Sequence, residues 1–386
     1  MQSTTSPTDP ICAQPQAHKF LQRWSCVQQT LIPELLHEMG ALTPKLERLI
    51  HVLEWVRVEE FVQRHYRDWG RPAHERAWLA NAFVAKALLG LPNTTALIER
   101  LHMDRSLRRI CGFALCKRLP SESTFSRAFE EFANNRLAER VHQALIQDNL
   151  GQSIIGHVCR DATAIEGREK VRKPQTPPQA VPSAKVKRKR GRPRKGEQGL
   201  CQVGTSSPLV IQQAQSLEQM LAGIPRYCDR GTKCNAQGYK NSWSGFKLHI
   251  DTADCGVPLS AILSSASVHD SRCAIPLSRM TEQRVHAYLY DVQDAAYCSE
   301  VLRSDSLARG RVPLTDHNPR RGQKIEFEPH QARRYKVRTG AERTNARLKE
   351  EFGADNVMVK GADKVMSHLM FGLLVLSADQ LMRLRQ

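Results

Sequence analysis

An all-α N-terminal domain followed by a mixed α/β (α+β) domain is the fold class this sequence predicts, and three observations lead there. Residues 31 to 150 keep a helical pattern with Ala- and Leu-rich stretches. After Gly151, short alternating or apolar runs bounded by turn residues take turns with helical stretches. A block from 171 to 207, rich in Pro, Lys, Arg and Gly, interrupts the second region and holds too little apolar surface to pack. Domains at 1–150 and 151–386 follow, the second split by a disordered basic insert.

Within the first domain, residues 75 to 90 read as a helix stopped by Gly90, a natural C-cap. Asn93 offers an N-cap for a helix over 96–102, and Ser121 starts another ahead of Phe125 to Phe132. Short helices joined by tight turns fit a helix-turn-helix-like domain for DNA binding or dimerisation.

The second domain opens with a strand over 154–163 whose end exposes Asp161. Phe246, Leu248 and Ile250 alternate with Lys247, His249 and Asp251, the pattern of a strand with one face buried. A turn at 254–258 leads to a strand over 259–268, giving a hairpin. A helix from Ser271, a strand over 287–292, a helix from Ser299 and a strand over 312–316 complete a mixed sheet. A helix containing Tyr335 and a final apolar helix over 365–384 close the chain.

The chain has 386 residues, and 57 Lys plus Arg against 39 Asp plus Glu give a net charge of +18. That balance points to a polyanionic partner, with double-stranded DNA first. Eleven cysteines form no Cys-x-x-Cys pair; Cys111 with Cys116 and Cys228 with Cys234 are the nearest approaches. Reduced thiols rather than disulfides or zinc are expected. The start at 1–15 is polar and Pro-rich, without a secretory core, and the apolar run over 369–376 is too short to span a bilayer. A cytoplasmic, nucleoid-associated protein without membrane contact is expected.

Tyr335, Arg338, Glu342 and Lys349 lie at offsets of 3, 7 and 14 residues. On one helix, at about 100° per residue, they fall within roughly 60° of each other. A carboxylate flanked by cations and a phenol suits a metal ion held beside a phosphate backbone. Two further acids take suggestive places: Asp161 at a strand end, and Asp294 just after another strand, with Asp291 and Asp251 as alternatives to Asp294. Carboxylates gathered from strand ends and a helix are what two-metal phosphoryl transfer needs, with hard oxygen ligands holding two Mg²⁺ about 4 Å apart.

The string Tyr335-x2-Arg338-x3-Glu342-x6-Lys349 resembles the Tyr-Arg-Glu-Lys signature of bacterial insertion-sequence transposases of the DDE type. Asp161 to Glu166, Gly238 to Asp251, Ala266 to Asp270 and Asp294 to Tyr297 resemble segments of the same family. The resemblance implies a ribonuclease-H-like catalytic domain that cuts transposon ends and joins them to target DNA. It implies Asp161 bridging two Mg²⁺ (Mn²⁺ as substitute), with Asp294 and Glu342 each holding one. Arg338 and Lys349 would grip DNA phosphates, Tyr335 would position the strand, and a homodimer would bring two ends together. His249, His269 and Asp270 sit on shared motifs, where His249 is expected to be structural and Trp243 to pack in the core.

The insert holds Arg190-Gly191-Arg192-Pro193 within a basic run over 187–195, which resembles an AT-hook. Gly lets the backbone approach the minor-groove floor, Pro fixes an extended path, and the narrow A·T groove attracts Arg. The rival reading is a non-catalytic AT-hook DNA-binding protein derived from a transposase.

Overall fold

The computed structural model describes residues 42–63, 75–172, 207–234, 238–319 and 323–385. The AT-hook-like run, Arg190 to Pro193 included, lies outside them. By internal contacts the chain divides into two compact units.

The first unit is helical: α1 (Pro44–Val56), α2 (Arg76–Leu88), α3 (Thr94–Met103), α4 (Arg105–Ile110), α5 (Glu122–Asn134) and most of α6 (Leu137–Leu150). Of the predicted helix starts, Asn93 caps α3 with its side chain, Ser121 stands at the start of α5 without a side-chain cap bond, and Asp104 adds a cap for α4 that was not predicted. Asn93 accepts from the Ala96 N–H at 2.8 Å, and Asp104 accepts from Leu107 at 2.9 Å. Gly90 stops α2 with φ of 64°.

The second unit holds a six-stranded mixed sheet in the order β2-β3-β1-β5-β6, with β4 paired to β3. Its strands are β1 (Ile154–Glu166), β2 (Asp229–Cys234), β3 (Lys240–Ala253), β4 (Pro258–Ser265), β5 (Ala287–Gln293) and β6 (Val312–Thr315). Short helices α7 (Pro208–Gln213) and α8 (Leu217–Ala222) precede β2. Helices α9 (Ala274–Glu282) and α10 (Glu300–Ala308) lead into β5 and β6, and α11 (Pro329–Tyr335) and α12 (Thr339–Glu350) follow β6. β1 runs antiparallel to β3 and parallel to β5, and β5 parallel to β6.

The final helix is α13 (Ala362–Arg385). Residues 347–356 and 367–386 count with the first unit, whereas the sequence predicts a second domain running to 386. The reason is packing: Phe371 of α13 lies against Phe83 and Phe129, 6.0 and 6.3 Å between ring centroids. By length and composition α13 could cross a membrane, yet 83% of its most apolar window is buried.

The alternation in β3 predicts one exposed face, and the structure corrects this: every residue from Leu248 to Ala253 is buried. Each polar side chain on the second face has a partner. Lys247 meets Asp270 at 2.8 Å, His249 meets the Ser264 hydroxyl at 2.9 Å, and Asp251 meets Arg160 at 2.8 Å. Burial lowers the His249 pKa to about 4, so its ring is neutral.

Gly245 lets β3 close against the end of β1. Its φ is +153°, and an added Cβ would stand 2.2 Å from the Ile165 carbonyl oxygen. Gly245→Ala is therefore expected to destabilise the fold by about 1–3 kcal/mol, read from its denaturant midpoint.

Candidate active site

The parallel pairing of β1 with β5 aligns Cys159 with Val292 and Arg160 with Gln293. One step further in that register, Asp161 comes level with Asp294, where neighbouring strands are about 4.8 Å apart. Side chains alternate along a strand, so both acids share the face of Cys159 and Val292. Leu314 of β6 continues that face, and Ala341 of α12 packs on it. Asp161 is expected at a strand end, but it lies inside β1, which continues to Glu166 against β3. Only the pairing with β5 stops there, and this opens the space beside Asp161.

Asp294 caps the 3₁₀ turn after β5, accepting from the Ala296 N–H at 2.9 Å. Asp316 stands at the same level on the next strand, since Gln293 aligns with Thr315 and the Asp316 N–H reaches the Gln293 carbonyl at 3.3 Å. Lys324 pairs with Asp316 at 3.1 Å.

Helix α12 and the turn before it supply the opposing wall. The stripe predicted as one helix is broken: α11 ends at Tyr335, a 3₁₀ turn covers Lys336–Arg338, and α12 starts at Thr339. Arg338, Glu342 and Asn345 nonetheless keep offsets of four and seven. Arg338 Nη1 donates to Glu342 Oε1 at 2.7 Å, and its Nη2 lies 3.7 Å from Asp161 Oδ1. Asn345 Nδ2 donates to Asp161 Oδ2 at 2.9 Å. Both Asp161 oxygens thus face α12. Arg338 Nε and Asn345 Oδ1 are buried without a hydrogen-bond partner.

Burial is the leading cause that raises the Asp161 pKa; Arg338 opposes it and Asp294 adds to it. Asp294 is raised the same way, by burial first, against the Ala296 N–H and Arg338. Tyr335 is pushed up to about 12 by burial, with Arg338 opposing and Asp316, Asp294 and Glu342 adding. The phenol therefore remains protonated at neutral pH.

Asp291 and Asp251, the alternatives for the second acid, lie on the other face of the sheet. Arg160 donates to both Asp251 oxygens at 2.8 and 2.9 Å and lies 3.3 Å from Asp291. Thr281 donates to Asp251 and Ser306 to Asp291, each at 2.8 Å. Their carboxylates are committed to this buried cage. Lys349 lies on the part of α12 that counts with the first unit, 3.9 Å from Asp355. Trp243 packs over Gly231 and donates to the Phe246 carbonyl at 3.0 Å.

Among the described residues, no three His, Cys, Asp or Glu side chains are gathered closely enough to hold a metal ion. Glu342 instead turns its carboxylate to Arg338. The donor chemistry still fits a hard divalent cation, because Asp161 comes level with Asp294 on the register of β1 with β5 and the amide oxygen of Asn345, whose nitrogen bonds Asp161, is unpartnered. Asn345 and Asp316 were not singled out by the sequence reading. The available signals were the seven-residue spacing of Asn345 from Arg338 and the position of Asp316 at the end of the last strand.

Residues 36–131 match the family described as Transposase domain (DUF772), and residues 220–377 match the Transposase DDE domain. Asp294 and Glu342 fall within the second match, and Asp161 precedes it. No curated protein and no solved structure matches the chain. The two family matches support a transposase with a DDE domain over 220–377, and the mixed sheet is consistent with a ribonuclease-H-like fold.

Proposed function

We propose that this protein cuts transposon ends and joins them to target DNA by two-metal phosphoryl transfer. The observation that carries the reading is the placement of Asp161 level with Asp294 on adjacent parallel strands, on the face that α12 covers with Ala341. Asp161 would touch both cations, Asp294 one and Glu342 the other. Bound Mg²⁺, or Mn²⁺ in its place, supplies the positive charge that favours in-line attack by water and then by the freed 3′-hydroxyl. Arg338 keeps its buried Nε for a DNA phosphate, with Lys349 as a second cation and Tyr335 as a neutral donor to the strand. A homodimer would hold two ends, in the cytoplasm and on the nucleoid.

Cleavage of a labelled transposon end in Mg²⁺ tests this reading, with Glu342→Ala as the control. Loss of cleavage with DNA binding intact supports it. Undiminished cleavage in that variant would remove Glu342 from the chemistry, whereas no cleavage by the parent protein would favour the non-catalytic AT-hook reading. Arg190→Ala with Arg192→Ala is expected to weaken binding to A·T-rich duplex by about 1–3 kcal/mol per lost contact and to leave G·C-rich duplex nearly unchanged. A competition assay between the two duplexes reads this directly. An equal loss on both would reduce the segment to a phosphate-binding linker.

A further inference from the structure

We propose that Asn345 is a positioning residue for the Asp161 carboxylate and that its amide oxygen receives a water of the cation shell. This rests on the two-metal reading above.

Asn345 is only 8% exposed, and its Nδ2 donates to Asp161 Oδ2 at 2.9 Å. That bond fixes the carboxylate plane and leaves Oδ1 as the less encumbered oxygen, with Arg338 Nη2 at 3.7 Å. The amide oxygen of Asn345 is buried without a partner, a costly state unless a donor arrives. A metal-bound water is a strong donor, made more acidic by the cation. Arg338, which lies against Asp161, still holds an unpartnered Nε, yet it makes no hydrogen bond to the Asn345 oxygen. Residues that orient metal ligands from behind are worth about 10–100-fold in affinity. Asn345 has the position for that work: it shares the α12 face with Glu342, three residues earlier, and touches an acid from β1.

The test is a Mn²⁺ titration of the full chain, read by electron paramagnetic resonance of the free ion, beside the Mg²⁺ dependence of end cleavage. In Asn345→Ala, Mn²⁺ affinity should fall about 10–100-fold. The Mg²⁺ concentration giving half-maximal cleavage should rise in parallel, while the rate at saturating Mg²⁺ changes less. Asn345→Gln, which keeps the amide, should recover part of the affinity. It also serves as the deciding variant if Asn345→Ala unfolds. Mn²⁺ affinity within twofold of the parent in a folded variant would overturn the proposal and leave the two-metal reading standing. If Asp161→Ala also left Mn²⁺ binding and cleavage unchanged, the two-metal reading itself would fall.

Discussion

Arg160→Ala is expected to cost about 3–5 kcal/mol of stability, because it strands two carboxylates in the interior. Arg160 is 1% exposed and Asp251 fully buried, and the guanidinium forks over both Asp251 oxygens while its remaining amine faces Asp291. Thr281 and Ser306 supply one hydroxyl each and cannot neutralise two charges. Burial already pushes the Asp251 pKa up, and Arg160 is the largest opposing influence. Without it, Asp251 would take up a proton on folding, so the variant should lose more stability as pH rises. Urea titrations at pH 5 and pH 8 measure both effects. A loss below about 1 kcal/mol at either pH would show that the cage does not depend on its cation.

Asp161→Asn is expected to separate activity from stability. Removing the carboxylate takes away the acid that would touch both cations, and a metal centre supplies several kcal/mol to charged transition states. Strand cleavage should therefore fall by about 100-fold or more. Folding should respond in the opposite sense. The folded-state pKa of Asp161 is raised, so its contribution to stability is fully present below the unfolded value and lost as pH rises through the folded one. As pH rises through the folded-state value the parent loses that contribution, whereas the neutral amide cannot lose it. Thermal unfolding in metal-free buffer should show Asp161→Asn melting no earlier than the parent, with DNA binding retained. Cleavage that survives this change would remove Asp161 from the chemistry. A sharp drop in melting point would recast it as a structural residue.

Local signals in the sequence survived into the structure. Asn93 and Gly90 each act within a few residues of themselves, so cap and stop were legible from composition alone. The four-residue step from Arg338 to Glu342 also survived, because a 3₁₀ turn leads straight into α12 and preserves that step. Alternation in β3 identified a strand but not its surroundings. A period of two separates faces without saying whether helices cover both, and here Lys247, His249 and Asp251 all face inward. The choice among Asp294, Asp291 and Asp251 depended on register across residues 91 or more apart in sequence, which no local pattern encodes. Asn345 was hidden for the same reason, since its partner lies 184 residues away.

Arg160 and Asp161 are consecutive, yet one locks the sheet to the helices behind it and the other faces α12. A single peptide unit therefore serves as a rivet through the wall of the domain. Selection on either side is felt on the other: loosening the rear lock would tilt the front oxygen, and reshaping the front would strain the rear lock. Variation in substrate choice among copies of such an element would accordingly accumulate in loops away from this dipeptide and from Glu342 and Asn345.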